Sequence, residues 1–184
     1  ARCGTGPEAA KQRAALDAAI AFKKYEFDAH GIEMNQRYQS AAVMTDGQVE
    51  PAFTRDADLH YQPTTWPGAR LPHVWLYDAQ GGKHSTLDIV GGGAFTALTG
   101  LGGKAWVAVA KTVGAEFGLD VAAHVIGPRQ RYIDHTGDWA RIRDVSDAGC
   151  LLVRPDQHVC WRIDGLATDP TAELRRVFAA ILAR

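Results

Sequence analysis

Apolar and polar positions along the chain divide it into two stretches of different character. The first stretch opens on Pro7, well suited to the first turn of a helix. Leu16, Ile20, Tyr25 and Phe27, set among many alanines, then continue a mostly helical period to His30, where Gly31 offers a stop. Lys11, Gln12, Lys23 and Lys24 supply a wet side, so the pattern predicts an amphipathic helix that needs something to pack on. Residues 38–44 predict a strand, and Thr45-Asp46-Gly47 a turn. Residues 51–61 have no clear period and predict an extended connection. The change of character near residues 59–63 sets the expected division: a trailing helix-and-strand segment over 1–60, and a separate domain over 61–184.

The second stretch is more regular. Val74-Trp75-Leu76-Tyr77 is a short apolar run, residues 85–90 alternate loosely, and Gly91-Gly92-Gly93 breaks the pattern. Residues 95–99 predict a buried strand, 105–117 a helix ended by Gly118, and 121–126 a second buried strand. That order makes one right-handed βαβ unit. Residues 138–145 predict a short helix. Two apolar runs, 150–153 and 159–163, flank Arg154-Pro155-Asp156-Gln157 and predict a hairpin. Asp169 as N-cap and Pro170 at the first helical position open a last helix with the stripe Leu174, Val177, Phe178, Ile181 and Leu182. A βαβ unit, a hairpin and a covering helix predict an α/β, thioredoxin-like domain.

Composition narrows the function classes. The 184 residues include 20 Lys and Arg against 21 Asp and Glu, and this balance gives no sign of a nucleic-acid partner. Arg175 and Arg176 lie beside Glu173 and predict a solvated helix face. No apolar run approaches membrane-spanning length, and no membrane partner is expected. The chain opens on Ala1 with no Met and no apolar leader, which predicts part of a longer or processed chain. Three cysteines with no C-x-x-C favour the cytoplasm. Seven scattered histidines predict no metal site.

Several constellations invite chemistry. Gly100-x-Gly102-x-x-Ala105 fits a relaxed dinucleotide fingerprint between strand and helix. Its acidic partner fails: Asp120 stands at the start of the next strand, and Pro128 and Arg129 occupy the end where the ribose would lie. The position where a thioredoxin-like fold carries its reactive cysteines reads Thr99-Gly100-Leu101-Gly102-Gly103, without sulfur. Cys150 and Cys160, on the hairpin strands, are expected to be packing residues. His73 and His84 have no nucleophile elbow beside them and are expected to be structural. Asp134, His135 and Asp138 suggest turn capping. Trp66, Trp75, Trp106, Trp139 and Trp161 are expected as core or interface anchors. No catalytic, cofactor-binding or metal-ligating residue is assigned.

A set of motifs in fixed order carries a resemblance. Arg37-Tyr38-x-Ser40, Pro67-Gly68-x-Arg70-x-Pro72-His73-x-Trp75-Leu76 and Ser85-Thr86-Leu87-Asp88 come first. Gly137-Asp138-Trp139, then Leu152-Val153-Arg154-Pro155-Asp156 with Trp161-Arg162, follow. Over nearly its whole length the chain resembles the C-terminal region of FAD-dependent aromatic hydroxylases of the dichlorophenol and phenol hydroxylase type. The resemblance implies a parent enzyme that uses FAD, NADPH and oxygen to hydroxylate phenols ortho to the hydroxyl, with the flavin and phenol sites upstream of these residues. It implies that this part is a scaffolding domain, packed on the upstream FAD and substrate module or on a second subunit of a homo-oligomer. A freestanding thioredoxin-like binding module is the second reading.

Overall fold

The computed structural model describes residues 4–183. The chain forms two compact units, Ala1–Asn35 with Phe53–Gln62, and Gln36–Ala52 with Pro63–Arg184.

In the smaller unit, helix α1 runs over Pro7–Phe27 and the one-turn helix α2 over His30–Met34. Gly31 does not stop α1 but lies inside α2. A Cβ there would collide with the Ala57 carbonyl, so glycine permits the close approach of residues 57–58, and Ile32 N–H donates to Asp58 O. Asn35 ties the turn from both ends of its amide: Nδ2 donates to the carbonyls of Ala57 and His60, both at 2.8 Å, and Oδ1 accepts from Gln62 N–H at 2.8 Å. Helix α1 buries none of its residues. Its amphipathy is weaker than the pattern predicts, because Phe22 and Tyr25 fall off the side that carries Leu16, Ile20 and Phe27. Tyr25 instead reaches Asp58 Oδ2 at 3.2 Å.

The larger unit is mixed α/β. A two-stranded antiparallel ribbon joins β1 (Trp75–Tyr77) and β2 (Lys83–Ser85). The main sheet has β3 (Phe95–Thr99), β4 (Val121–Val125), β5 (Cys150–Val153) and β6 (Val159–Ile163), in the order β4-β3-β5-β6. The β3–β4 pair is parallel, joined through helix α3 (Ala105–Glu116), and the other two pairs are antiparallel. Helix α4 (Asp138–Ile142) precedes β5, and α5 (Pro170–Ile181) follows β6. Asp169 Oδ1 caps α5 by accepting from Ala172 N–H at 2.9 Å.

Strand alternation sorts the sheet into two apolar layers. Ala97, Leu152 and Trp161 meet Trp106, Val113, Leu174, Val177 and Phe178 of the helix pair. Leu98, Leu151, Val153 and Val159 face the other way, onto Leu71, Leu76, Ile89, Tyr132 and Trp139. The bulge at Leu152/Val153, which leaves Cys160 as the extra residue of β6, moves Val159 onto this second face, opposite Val153. The main sheet is therefore covered on both sides.

The strand predicted over 38–44 is absent, and the loose alternation over 85–90 is not a strand. Over 38–44 only the neighbouring Arg37 makes a bridge, to Ala69, and residues 40–43 form a turn closed by Val43 N–H on Ser40 O. Beyond Ser85 the chain also turns instead of extending. Ser85 N–H donates to Asp88 Oδ2 at 2.8 Å, Asp88 N–H donates to Ser85 O, and Leu87 N–H donates to Ser85 Oγ. Such short-side-chain bonds to nearby backbone compete with strand pairing. Residues 36–52 also join the larger unit, where the sequence pattern had grouped them with the first helix.

Candidate functional site

The strand-to-helix turn after β3 is where a βαβ unit binds anions or carries reactive thiols. Here a single 3₁₀ turn over Leu101–Gly103 leads into α3. Asp147, just before β5, reaches this turn, and its Oδ2 accepts from Gly102 N–H at 2.8 Å. Arg143 holds the other oxygen at 3.3 Å. Desolvation pushes this carboxyl up, but the backbone donors at Gly102 and Leu101 and the Arg143 guanidinium outweigh it and hold the pKa below the usual carboxylate range. A side chain at Gly100 would collide with Asp147, and one at Gly103 with Thr99 Oγ1. The turn does not fit a pyrophosphate, because its donor already serves a carboxylate that would repel one. Sequence spacing alone could not show this, since Asp147 is 45 residues from its partner.

The thiols are equally withdrawn. Cys150 and Cys160 are free and fully buried on adjacent strands. Burial pushes the Cys160 thiol up to about 12 and Cys150 higher still.

The histidines are separated into two polar clusters. His73 Nδ1 lies 2.7 Å from Ser85 Oγ, but that hydroxyl also accepts from Leu87 N–H within the turn. His73 stands edge-on to Trp75 at 4.6 Å, Lys83 Nζ lies 4.0 Å above the Trp75 ring, and the indole is 41% exposed. These rings border an open cleft of about 430 Å³ that also includes Asp138, Arg141 and Ile142. In the second cluster His84 Nε2 lies 3.0 Å from Asp78 Oδ2, and His84 and His124 both stand edge-on to the Tyr132 ring. The His84 bond first, then Gly82 N–H, hold Asp78 below its ordinary value. Burial first, then Arg131, hold His124 below its own. Asp134 and Asp138 act locally: Asp134 Oδ2 accepts from Ala140 N–H at 2.9 Å, and Asp138 accepts from Thr136 and Arg141. His135 is 5.3 Å from the Tyr77 ring. Among the described residues no group of three or more His, Cys, Asp or Glu is placed to hold a metal ion, and no helix is long and apolar enough to cross a membrane.

Asp147 thus occupies the turn after β3, on a β4-β3-β5-β6 sheet covered on both faces. Comparison with known proteins gives the chain a family. Residues 64–184 match the aromatic-ring hydroxylase C-terminal family, and the chain belongs to that family. It is 46% identical over 94% of its length to the 2,4-dichlorophenol 6-monooxygenase of Delftia acidovorans. It is 50% identical over 91% of its length to the phenol 2-monooxygenase of Pseudomonas sp. strain EST1001. These alignments span only 30% and 28% of those two relatives. Among solved structures, the flavin-dependent monooxygenase PieE in complex with FAD and substrate superimposes with a TM-score of 0.87 at 43% identity. That alignment covers 98% of this chain and 31% of PieE.

Proposed function

We propose that this chain is the C-terminal part of a flavin-dependent phenol or chlorophenol hydroxylase and serves that enzyme as an assembly domain. In the parent enzyme FAD, when bound, would supply the oxygen-transfer chemistry and NADPH the electrons for hydroxylating a phenol ortho to its hydroxyl. The domain is thioredoxin-like, a reading supported by the 4-3-5-6 strand order with one parallel and two antiparallel pairs. Asp147 carries the assignment of a non-catalytic role, because its carboxylate stands at the turn where phosphate or thiol chemistry would need room. The flavin and phenol sites belong to the upstream module, against which we place the exposed Leu16, Ile20 and Phe27 side of α1, within a homo-oligomer in the cytoplasm. The reading frame upstream of Ala1 separates this from a freestanding binding module: a glycine-rich flavin fingerprint there supports the hydroxylase, and an in-frame stop close by overturns it.

Flavin titration provides a direct test on the chain itself. Adding it to FAD should leave flavin fluorescence unchanged, as should adding it to FAD with NADPH. Stoichiometric quenching at low micromolar concentration would show that the turn after β3, or another site, accepts the cofactor, and the assembly role would fail.

A further inference from the structure

Two segments meet the outer edge of β6. Gly68 N–H donates to Val159 O at 2.7 Å, Val159 N–H to Ala69 O at 2.9 Å, and Leu71 N–H to Gln157 O at 2.8 Å, so residues 68–71 cover its start. Residues 37–46 run along this covering segment and reach β6 at the next carbonyl, Cys160 O. Tyr38 N–H donates to Gly68 O at 2.9 Å, and Met44 N–H to Cys160 O at 2.8 Å. Two residues on, Asp46 Oδ2 accepts from Arg162 Nε at 2.6 Å. The two side chains of that pair are 15% and 9% exposed. Arg162 also lies 5.0 Å from the Trp66 ring and 3.7 Å from Asp144 Oδ2. At its near end the segment is held by Arg37, which donates to Glu50 and to Pro51 O.

We propose that residues 37–46 are a strap that closes the outer edge of β6, locked by the Asp46–Arg162 pair, and that the strap keeps this edge from pairing with the same edge of a second copy. A bare strand edge presents backbone donors and acceptors to any other chain, and an identical edge is the commonest partner available. The 37–46 segment forms no ladder with β6, and its hold on the larger unit comes from the Arg37–Ala69 bridge, the Met44 bond to Cys160 O, the Met44 side chain packed on the core with Arg176 Nη1 3.2 Å from its sulfur, and the Asp46–Arg162 pair. Removing Asp46 leaves a guanidinium nine-tenths buried beside the single carboxylate at 3.7 Å. The lock is therefore a point at which the strap can be loosened without cutting the core.

Hydrogen exchange on the full chain and on Asp46→Asn, with light scattering on both, tests the two parts of the proposal. The Met44 amide should exchange at least about tenfold faster in the variant while the Leu152 amide keeps its protection. The variant should also show more concentration-dependent association than the wild type. Unchanged Met44 protection would remove the lock, and an opened strap without added association would remove the edge-guard role. Should Asp46→Asn fail to fold, the wild type decides in low denaturant: Met44 must open before Leu152, and simultaneous opening would make the segment ordinary core.

Discussion

Cys150 and Cys160 show at single-residue scale how burial alone settles a chemical question. On adjacent strands of one hairpin they could be read as a redox pair, yet each sits fully buried with its thiol pKa driven up by desolvation. In the unfolded chain a cysteine loses its proton near roughly 8.5. The folded chain holds that proton more tightly, so the stability tied to it is fully present below about pH 8.5 and is lost as pH rises toward about 12 for Cys160. The urea midpoint should therefore fall between pH 9 and pH 11, and fall less steeply in the Cys150→Ala, Cys160→Ala double variant. Equal slopes would mean that the thiols are not held neutral by the fold. A thiol reagent checks the same point at pH 8. A Cys3→Ser chain should show no reactive thiol when native and both when unfolded; position 3 lies outside the described residues.

At the scale of elements, the parts readable from sequence are those whose own period and caps specify them. The strand at Phe95–Thr99, the hairpin strands Cys150–Val153 and Val159–Ile163, and the Asp169–Pro170 start of α5 stand where the pattern places them. What escaped is held by long-range partners. Residues 38–44 look like a strand because Tyr38 and Val43 are β-formers, but Ser40 closes a turn on itself and the segment's fixed points are Gly68, Cys160 and Arg162. Gly31 looks like a helix stop because nothing local reveals Ala57. Asp147 escaped for the same reason, though it holds the 3₁₀ turn that leads into α3. Asp147→Ala should strip the acceptor from Gly102 N–H and cost about 1 kcal/mol, the usual loss on removing a capping carboxylate. Since its folded pKa is depressed, the difference from wild type should be full at neutral pH and shrink as pH falls below about 4. Urea unfolding at pH 7 and pH 3 measures both, and a gap that persists undiminished at pH 3 would assign the loss to packing instead.

At the scale of the whole molecule, the two compact units differ in what they bury. The larger has apolar layers on both faces of its sheet, whereas α1 buries nothing, with Ile20 52% and Phe27 81% exposed. Contiguous apolar surface of that kind favours association, at about 25 cal/mol for each Å² removed from water. In the proposed parent enzyme the upstream module covers it, and in the isolated chain a second copy is the expected cover. The division of the chain sharpens the expected outcome, because residues 36–52 belong to the larger unit although sequence on both sides of them belongs to the smaller. Limited proteolysis of the isolated chain should cut within residues 4–35 and 53–62 and spare 36–52. The strap should stay bound to the larger unit after the flanking chain is cleaved, and should co-purify with residues 63–184 until denaturant is added. Light scattering on uncut chain should show association that disappears once α1 is removed. If α1 resists protease as well as α5 does in a monomer, its apolar side is satisfied within this chain. The upstream module would then not be needed to cover it, and the freestanding binding module would become the better reading.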